Sequence, residues 1–323
     1  MFWLVFLKKE GNSMGQACKA SRSNSLQKVT FYGVAAGRIH NREEIHMNET
    51  NTLALARKEK GILIAAHRGV AGGNIPCNTL PAFEAALRQG ADILETDIAC
   101  SGSGDLLAFH PGKEKQHLGV NVHLEQMTLE EISALRYINV DLDPTDYGIL
   151  TLDAFLETFK NRCLINLDHG WEDMKGTIEA VRRHGMEDQI LLKTPAKEKY
   201  WAIFEELAPD MMFMPIIKEE DNVTELLESR NINYVGAELV FAKDDSYLVS
   251  EEYIQSHKAQ GRLLWCNPLV YYYKSQLTGG HNDDIAVSGD PEYGWGWLMD
   301  KGFDILQTDW IMPLRHFADS RGK

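Results

Sequence analysis

Five cysteines in 323 residues (Cys18, Cys77, Cys100, Cys163 and Cys266) are an odd, scattered set with no Cys-x-x-Cys pair. That excludes a disulfide framework and a cysteine-based zinc motif, and the expected state is reduced thiol, as in a cytoplasmic protein. No apolar run approaches the ~20 residues that a membrane-spanning helix needs, so stable membrane insertion is not expected. Basic residues are also short: 33 Lys and Arg stand against 47 Asp and Glu, a formal charge of -14. This excludes general affinity for nucleic acid or an anionic membrane surface, both of which need clustered cations. Gly-x-Gly-x-x-Gly and P-loop patterns are missing, as are internal repeats beyond a strand-helix period. Partners are therefore expected among small molecules, and an anionic substrate would need local help from a few cationic groups.

The chain does have enough apolar content, 44%, to bury one large core. Residues 1–50 differ from the rest, with seven Lys or Arg against four Glu, and lack a sustained periodic pattern. They read either as a flexible extension or as a stretch upstream of a start such as Met47. Met1 to Leu7 is apolar, but Lys8-Lys9 follows it, the reverse of a signal peptide's order. Residues 51–323 are expected to form the folded domain, opening with a polar helix over Asn51 to Lys60. From Gly61 onward, short apolar runs alternate with amphipathic stretches, which predicts a parallel sheet with crossover helices. Eight runs end at His67, Glu95-Thr96-Asp97, Asp168, Lys193, Ile216-Ile217-Lys218, Glu238, Trp265-Cys266-Asn267 and Thr308-Asp309. Eight such units predict an α/β fold, a (β/α)8 TIM barrel, with functional groups at the carboxyl ends of the strands. The run ending at His110 follows Ser101-Gly102-Ser103-Gly104-Asp105, a turn signature that adds a small antiparallel hairpin after strand 2. Thr278 to Pro291, rich in Gly and Asp, reads as a loop over the rim.

Four polar groups at the front carry chemistry: His67-Arg68-Gly69, Glu95, Asp97 and His110. Each ends an apolar run, where burial of an unpaired charge is avoided. Glu95 and Asp97 are two apart on one strand and share a face, so they can hold one cation. The alternative is a pair of salt bridges, but adjacent carboxylates repel unless a cation joins them. His67 and His110 could act as base and acid on a phosphate held by that cation and by the planar fork of Arg68. Asn78 is expected to cap the following helix and to face substrate at most secondarily. His169, His117, His123, His184, His257 and His316 are assigned by default to surface or loop.

The order and spacing resemble the glycerophosphodiester phosphodiesterases over roughly Gly61 to Phe317. His-Arg-Gly is followed by Asn78-Thr79, by Glu-x-Asp 28 residues after the first His, and by a second His 15 further on. Met127-Thr128-Leu129-Glu130-Glu131, Leu150-Thr151-Leu152 and Asp304-Ile305-Leu306-Gln307-Thr308-Asp309 resemble later landmarks of that family. The resemblance implies metal-dependent hydrolysis of a small-molecule glycerophosphodiester to sn-glycerol 3-phosphate and an alcohol. It implies Asp168 as third metal ligand beside Glu95 and Asp97, for Ca2+ or Mg2+, the hard cations that oxygen donors select. Lys193, at the end of its own apolar run, reads as a phosphate contact or as a loop salt bridge, and Glu238 and Asn267 as substrate contacts or structural groups; the resemblance implies Trp265 and Trp310 as pocket walls. The sequence departs from the family pattern at Cys77 (usually Glu), at Pro111 (usually Asp) and at Asp168-His169-Gly170 (usually Glu-x-Lys). Which histidine is the base, and whether water or the glycerol hydroxyl attacks, stay open. Two alternatives keep the barrel: a lipid phosphodiesterase of lysophospholipase D type, and a phosphate-binding protein without turnover.

Overall fold

Alternation within short apolar strands decides both the fold and the place of the site. The computed structural model describes residues 51–219, 222–272 and 275–322; the expectation for residues 1–50 lies outside the described residues. The described strands are β1 (Leu63–His67), β2 (Ile93–Cys100), β3 (Leu106–Ala108), β4 (Leu150–Thr151), β5 (Leu164–Asp168), β6 (Ile190–Pro195), β7 (Met212–Ile217), β8 (Gly236–Leu239), β9 (Leu263–Cys266) and β10 (Ile305–Thr308). β1, β2, β5, β6, β7, β8, β9 and β10 pair in parallel in that order, and β10 returns to β1. The result is the closed eight-stranded barrel with helices between strands, and its strands are the eight expected runs.

These strands read as continuous apolar runs because both faces are covered. Ile64, Ala66, Leu94, Ile165, Leu167 and Leu192 face the helical shell, while Leu63, Ala65, Ile93, Leu164, Leu191 and Trp265 fill the interior. The inward set has period two, so extending it toward the carboxyl ends brings His67, Glu95, Asp97 and Asp168 to the top layers. In the shell, the helix Leu80–Arg88 buries Ala82, Phe83 and Ala86. Phe83 packs edge to face on Phe155 and Phe159 of the helix Leu152–Phe159, at 4.8 and 5.7 Å between centroids. Burying each such ring contributes roughly 1.5–3 kcal/mol.

The hairpin also forms. β2 runs past the barrel and pairs antiparallel with β3, Ile98 opposite Ala108, and β3 pairs with β4. Its turn is closed by the Ser101 amide on the Asp105 carbonyl at 2.8 Å, with Gly104 at φ +86°. Beneath it lies a separate small core of Ala99, Leu107, Phe109, Leu118, Leu124, Ile132 and Tyr137.

One segment departs from expectation. The Thr278 to Pro291 stretch contains a helix, Asp283–Ser288, started by Asn282, whose side chain accepts from the Ile285 amide. Its Asn-Asp-Asp composition, read as loop, is also an N-cap followed by an acidic first turn. A final helix, Ile311–Ser320, carries Pro313 in its first turn, where no amide donor is missed.

Candidate active site

β1 and β2 are in register at His67 and Glu95, and β2 and β5 at Asp97 and Asp168. One carboxylate oxygen from each of Glu95, Asp97 and Asp168 lies within 4.8 Å of the others. Glu95 and Asp97 are each 1% exposed. Burial first, then Asp97 and Asp168, push the Glu95 carboxyl well above its ordinary range, while Arg68 and Lys193 pull it back. Three carboxylates packed this tightly call for a positive charge among them. Asp168 Oδ1 is buried without a hydrogen-bond partner among the described residues. An all-oxygen donor set with one unused buried oxygen fits a hard divalent cation such as Ca2+ or Mg2+.

The two histidines flank this cluster, each with one ring nitrogen fixed. His67 Nδ1 lies 2.8 Å from Asp309 Oδ1, and its Nε2 lies 3.1 Å from the Tyr271 hydroxyl. A carboxylate only accepts, so Nδ1 carries the proton and the Nε2 lone pair faces the Tyr271 hydroxyl. His110 donates from Nδ1 to the Pro111 carbonyl at 2.8 Å, leaving Nε2 4.0 Å from Asp97 Oδ1. At the position where the family usually has Asp, the backbone of Pro111 thus orients the ring. Burial lowers the His110 pKa from its ordinary value, with Asp97 opposing.

Arg68, at φ +56°, places Nε 2.7 Å from Asp97 Oδ2, and its amide donates to Glu95 Oε2 at 2.9 Å. Asn78 does not cap the next helix. Thr79 holds that position, and the buried Asn78 side chain accepts from Thr96 Oγ1 at 3.0 Å and reaches Asp97 Oδ2 at 3.4 Å. Its positive φ of 55° turns the side chain back toward β2, so it braces a carboxylate instead.

Lys193 and Glu238 form a buried ion pair. Burial would push Lys193 down, but Glu238, Asp168 and Glu95 outweigh it and hold the ammonium above its ordinary range. Glu238 Oε1 accepts from Asn267 Nδ2, and Asn267 Oδ1 from Trp265 Nε1, both at 2.7 Å. Trp265 is fully buried inside the barrel, with Lys193 Nζ 4.1 Å above its ring, so it closes the interior and does not wall the pocket from the rim. Trp310 is 46% exposed at the rim. A cleft of about 670 Å³ runs from Asp168 past Glu238, Asn267 and Tyr271, with Lys197 and Lys218 also lining it.

Pattern reasoning missed three residues. Asp309 ends a strand as visibly as His67, and the pattern marks it as a strand end and a family landmark without giving it a role. Tyr271 and His169 sit on loops, where no periodicity reports direction. His169 was assigned to surface by default, yet its ring lies 5.0 Å from that of His110. His257, given the same default, is fully buried, with Nε2 3.2 Å from the Tyr234 hydroxyl. Burial pushes the Cys77 thiol up to about 12, away from the thiolate form, and its Sγ lies 3.9 Å from His117 Nδ1.

Known proteins resemble this chain along its length. A family model described only as a domain of unknown function matches residues 213–317. A glycerophosphodiester phosphodiesterase of Arabidopsis thaliana is 24% identical, covering 79% of this chain and 85% of that protein. An uncharacterized protein of Bacillus subtilis and a glycerophosphodiester phosphodiesterase of Caldanaerobacter subterraneus are each 28% identical over 41% of this chain. The chain spans 57% of the length of those two relatives. In fold, a glycerophosphoryl diester phosphodiesterase of Parabacteroides distasonis superposes with TM-score 0.66 at 18% identity, over 80% of this chain and 87% of that one. An Oleispira antarctica phosphodiesterase, solved with sn-glycerol-3-phosphate as product, superposes with TM-score 0.59, also at 18% identity, over 80% and 96%. The resemblance carried by the motifs thus extends to sequence and to fold: the Arabidopsis, Caldanaerobacter and Parabacteroides proteins are glycerophosphodiester phosphodiesterases, which are phosphoric diester hydrolases, and the Oleispira protein is a phosphodiesterase.

Proposed function

We propose that this protein hydrolyses glycerophosphodiesters to sn-glycerol 3-phosphate and an alcohol at the carboxyl-end rim of the barrel. The observation that carries the reading is the cluster of three carboxylate oxygens within 4.8 Å, flanked by His67 and His110. Glu95, Asp97 and Asp168 would hold a Ca2+ or Mg2+ ion, which when bound offsets the charge building on the phosphate oxygens. Arg68 adds a planar donor beside it, and Lys193, shared with Glu238, adds a second positive charge. Asn78 braces Asp97, and the Glu238-Asn267 pair lines the cleft.

His67 and His110 divide the proton work: one takes the proton of the attacking oxygen and the other gives one to the leaving alcohol. The attacking oxygen is water or the glycerol hydroxyl next to the phosphate, the second by way of a cyclic phosphate. His67→Ala and His110→Ala are each expected to lower kcat by ~10²-fold or more, with the fold retained. Near-full turnover in either variant, measured as release of glycerol 3-phosphate, would remove that histidine from the chemistry. The four free thiols among the described residues, Cys77, Cys100, Cys163 and Cys266, support a reducing, cytoplasmic setting.

One observation favours a second substrate class. Tyr271, Tyr272 and Trp310 are 56%, 53% and 46% exposed, apolar aromatic surface that an acyl-bearing substrate would cover. No described helix is long and apolar enough to cross a membrane. Comparing rates on glycerophosphocholine and its lysolipid equivalent separates the two classes.

A further inference from the structure

Asp97 belongs to two clusters. One is the carboxylate set with Glu95 and Asp168; the other is Asp97, His110 and His169, whose ligand atoms also lie within 4.8 Å of one another. The second cluster has different donor chemistry, two imidazole nitrogens and one carboxylate oxygen. That set suits zinc and neighbouring transition metals, whereas oxygen donors alone suit Ca2+ or Mg2+.

Three further features point the same way. His110 donates its Nδ1 proton to the Pro111 carbonyl at 2.8 Å, the outer contact that fixes the tautomer of a metal-binding imidazole and leaves Nε2 as the ligand atom. Asp97 divides its oxygens: Oδ2 is committed to Arg68 and Asn78, while Oδ1 faces His110 Nε2 at 4.0 Å. His169 adopts φ +56°, a left-handed conformation uncommon outside glycine, though histidine enters it more readily than most side chains. Its ring is braced on Trp171 at 4.7 Å and faces His110 at 5.0 Å. Strain of this kind, about 1–3 kcal/mol, persists where the surroundings hold it and clusters at functional sites. Bonds of ~2.1 Å in tetrahedral geometry imply ligand atoms ~3.4 Å apart, so the set closes on an ion by rotation of half-buried rings.

We infer that Asp97, His110 and His169 form a second cation site, for a zinc-class ion, adjoining the carboxylate site and inhibiting the enzyme when filled. The inhibitory sense rests on the proposed role of His110. A zinc ion bonded to Nε2 occupies the lone pair through which that ring accepts and returns a proton, and no covalent bond is made or broken. Mg2+ or Ca2+ would occupy the neighbouring carboxylates without competing for nitrogen.

The test is zinc binding to the full chain in excess Mg2+, read by calorimetry and by the visible spectrum of the Co2+ form. One site per wild-type chain is expected, weakened ~tenfold or more in His169→Ala. It should persist in Asp168→Asn, which alters only the carboxylate cluster. His169→Gly serves as a folding control, since glycine accepts φ +56° without strain; it should unfold no more readily than wild type and still lose the site. Zinc should inhibit turnover of wild type at concentrations ~tenfold or more below those needed for His169→Ala, each compared with its own zinc-free rate. Loss of the zinc site in Asp168→Asn with retention in His169→Ala would overturn the inference, as would no zinc binding by folded wild type. Zinc binding with this variant pattern in a protein that hydrolyses no phosphodiester would sustain the site and remove the proposed function.

Discussion

The orientation of His67 rests on Asp309, a residue at the end of β10 that is itself held from behind. Buried Asp283 accepts from Thr308 Oγ1 at 2.8 Å and from the Asp309 amide at 3.2 Å, and Trp295 Nε1 donates to its other oxygen at 2.7 Å. Asp309→Ala should therefore lower kcat by ~tenfold or more, toward the ~10²-fold of losing the imidazole, with a smaller effect on KM. Unchanged kcat would mean that His67 needs no carboxylate to set its tautomer. Asp168→Asn should weaken the response to Ca2+ or Mg2+ by shifting the half-activating concentration upward; an unshifted titration would remove Asp168 from the cation site. His67, Glu95, Asp97, His110 and Asp168 were legible because each closes an apolar run and inherits its inward direction. Asn78 was legible as a polar group but not in its role, since only the fold brings β2 beside it. Tyr271 and His169 depend on where loops return, which no local pattern encodes.

At the scale of elements, β2 does two jobs. Its first half is a barrel strand carrying Glu95 and Asp97, and its second half leaves the barrel to pair with β3, bringing His110 back over the carboxylates. Alternation and a glycine-bounded turn made that visible in advance. The helix Asp283–Ser288 was hidden because capping residues and loop residues are the same amino acids. Close approach between strands also leaves no periodic signal. A Cβ on Gly236 of β8 would lie 2.0 Å from the Leu263 carbonyl and 2.7 Å from Met214 Cε. Backbone cannot yield there as a side-chain tip can, so Gly236→Ala should destabilise the barrel by about 1–3 kcal/mol or more. The check is the denaturant midpoint, and an unchanged value would contradict the strand spacing.

For the whole molecule, pH acts through buried groups whose effects oppose each other. Burial pushes Asp283 from 3.8 up to about 7, ahead of the hydrogen bonds that oppose it. Between those values the folded chain keeps a proton that the unfolded chain releases, so this group makes stability fall as pH rises from about 4 to about 7. Burial, then Arg68 and His110, lower His117 from 6.5 to about 4. The unfolded chain takes that proton first, so the His117 contribution is present above pH 6.5 and lost as pH falls toward 4. Because the windows overlap, these two contributions offset each other, and variants are needed to separate them. Relative to wild type, Asp283→Asn should gain in thermal midpoint between pH 5 and pH 8; a constant difference would place the Asp283 proton elsewhere. At the rim, the crowding of Glu95, Asp97 and Asp168, the first two of them buried, motivates the central claim, that three clustered carboxylates hold a divalent ion for phosphodiester hydrolysis. The most direct measurement is release of sn-glycerol 3-phosphate from a panel of glycerophosphodiesters by the full chain, before chelation, after chelation, and after restoring Ca2+ or Mg2+. Product that disappears with chelator and returns with the ion is the predicted result, and folded protein that yields no product with either ion would contradict it.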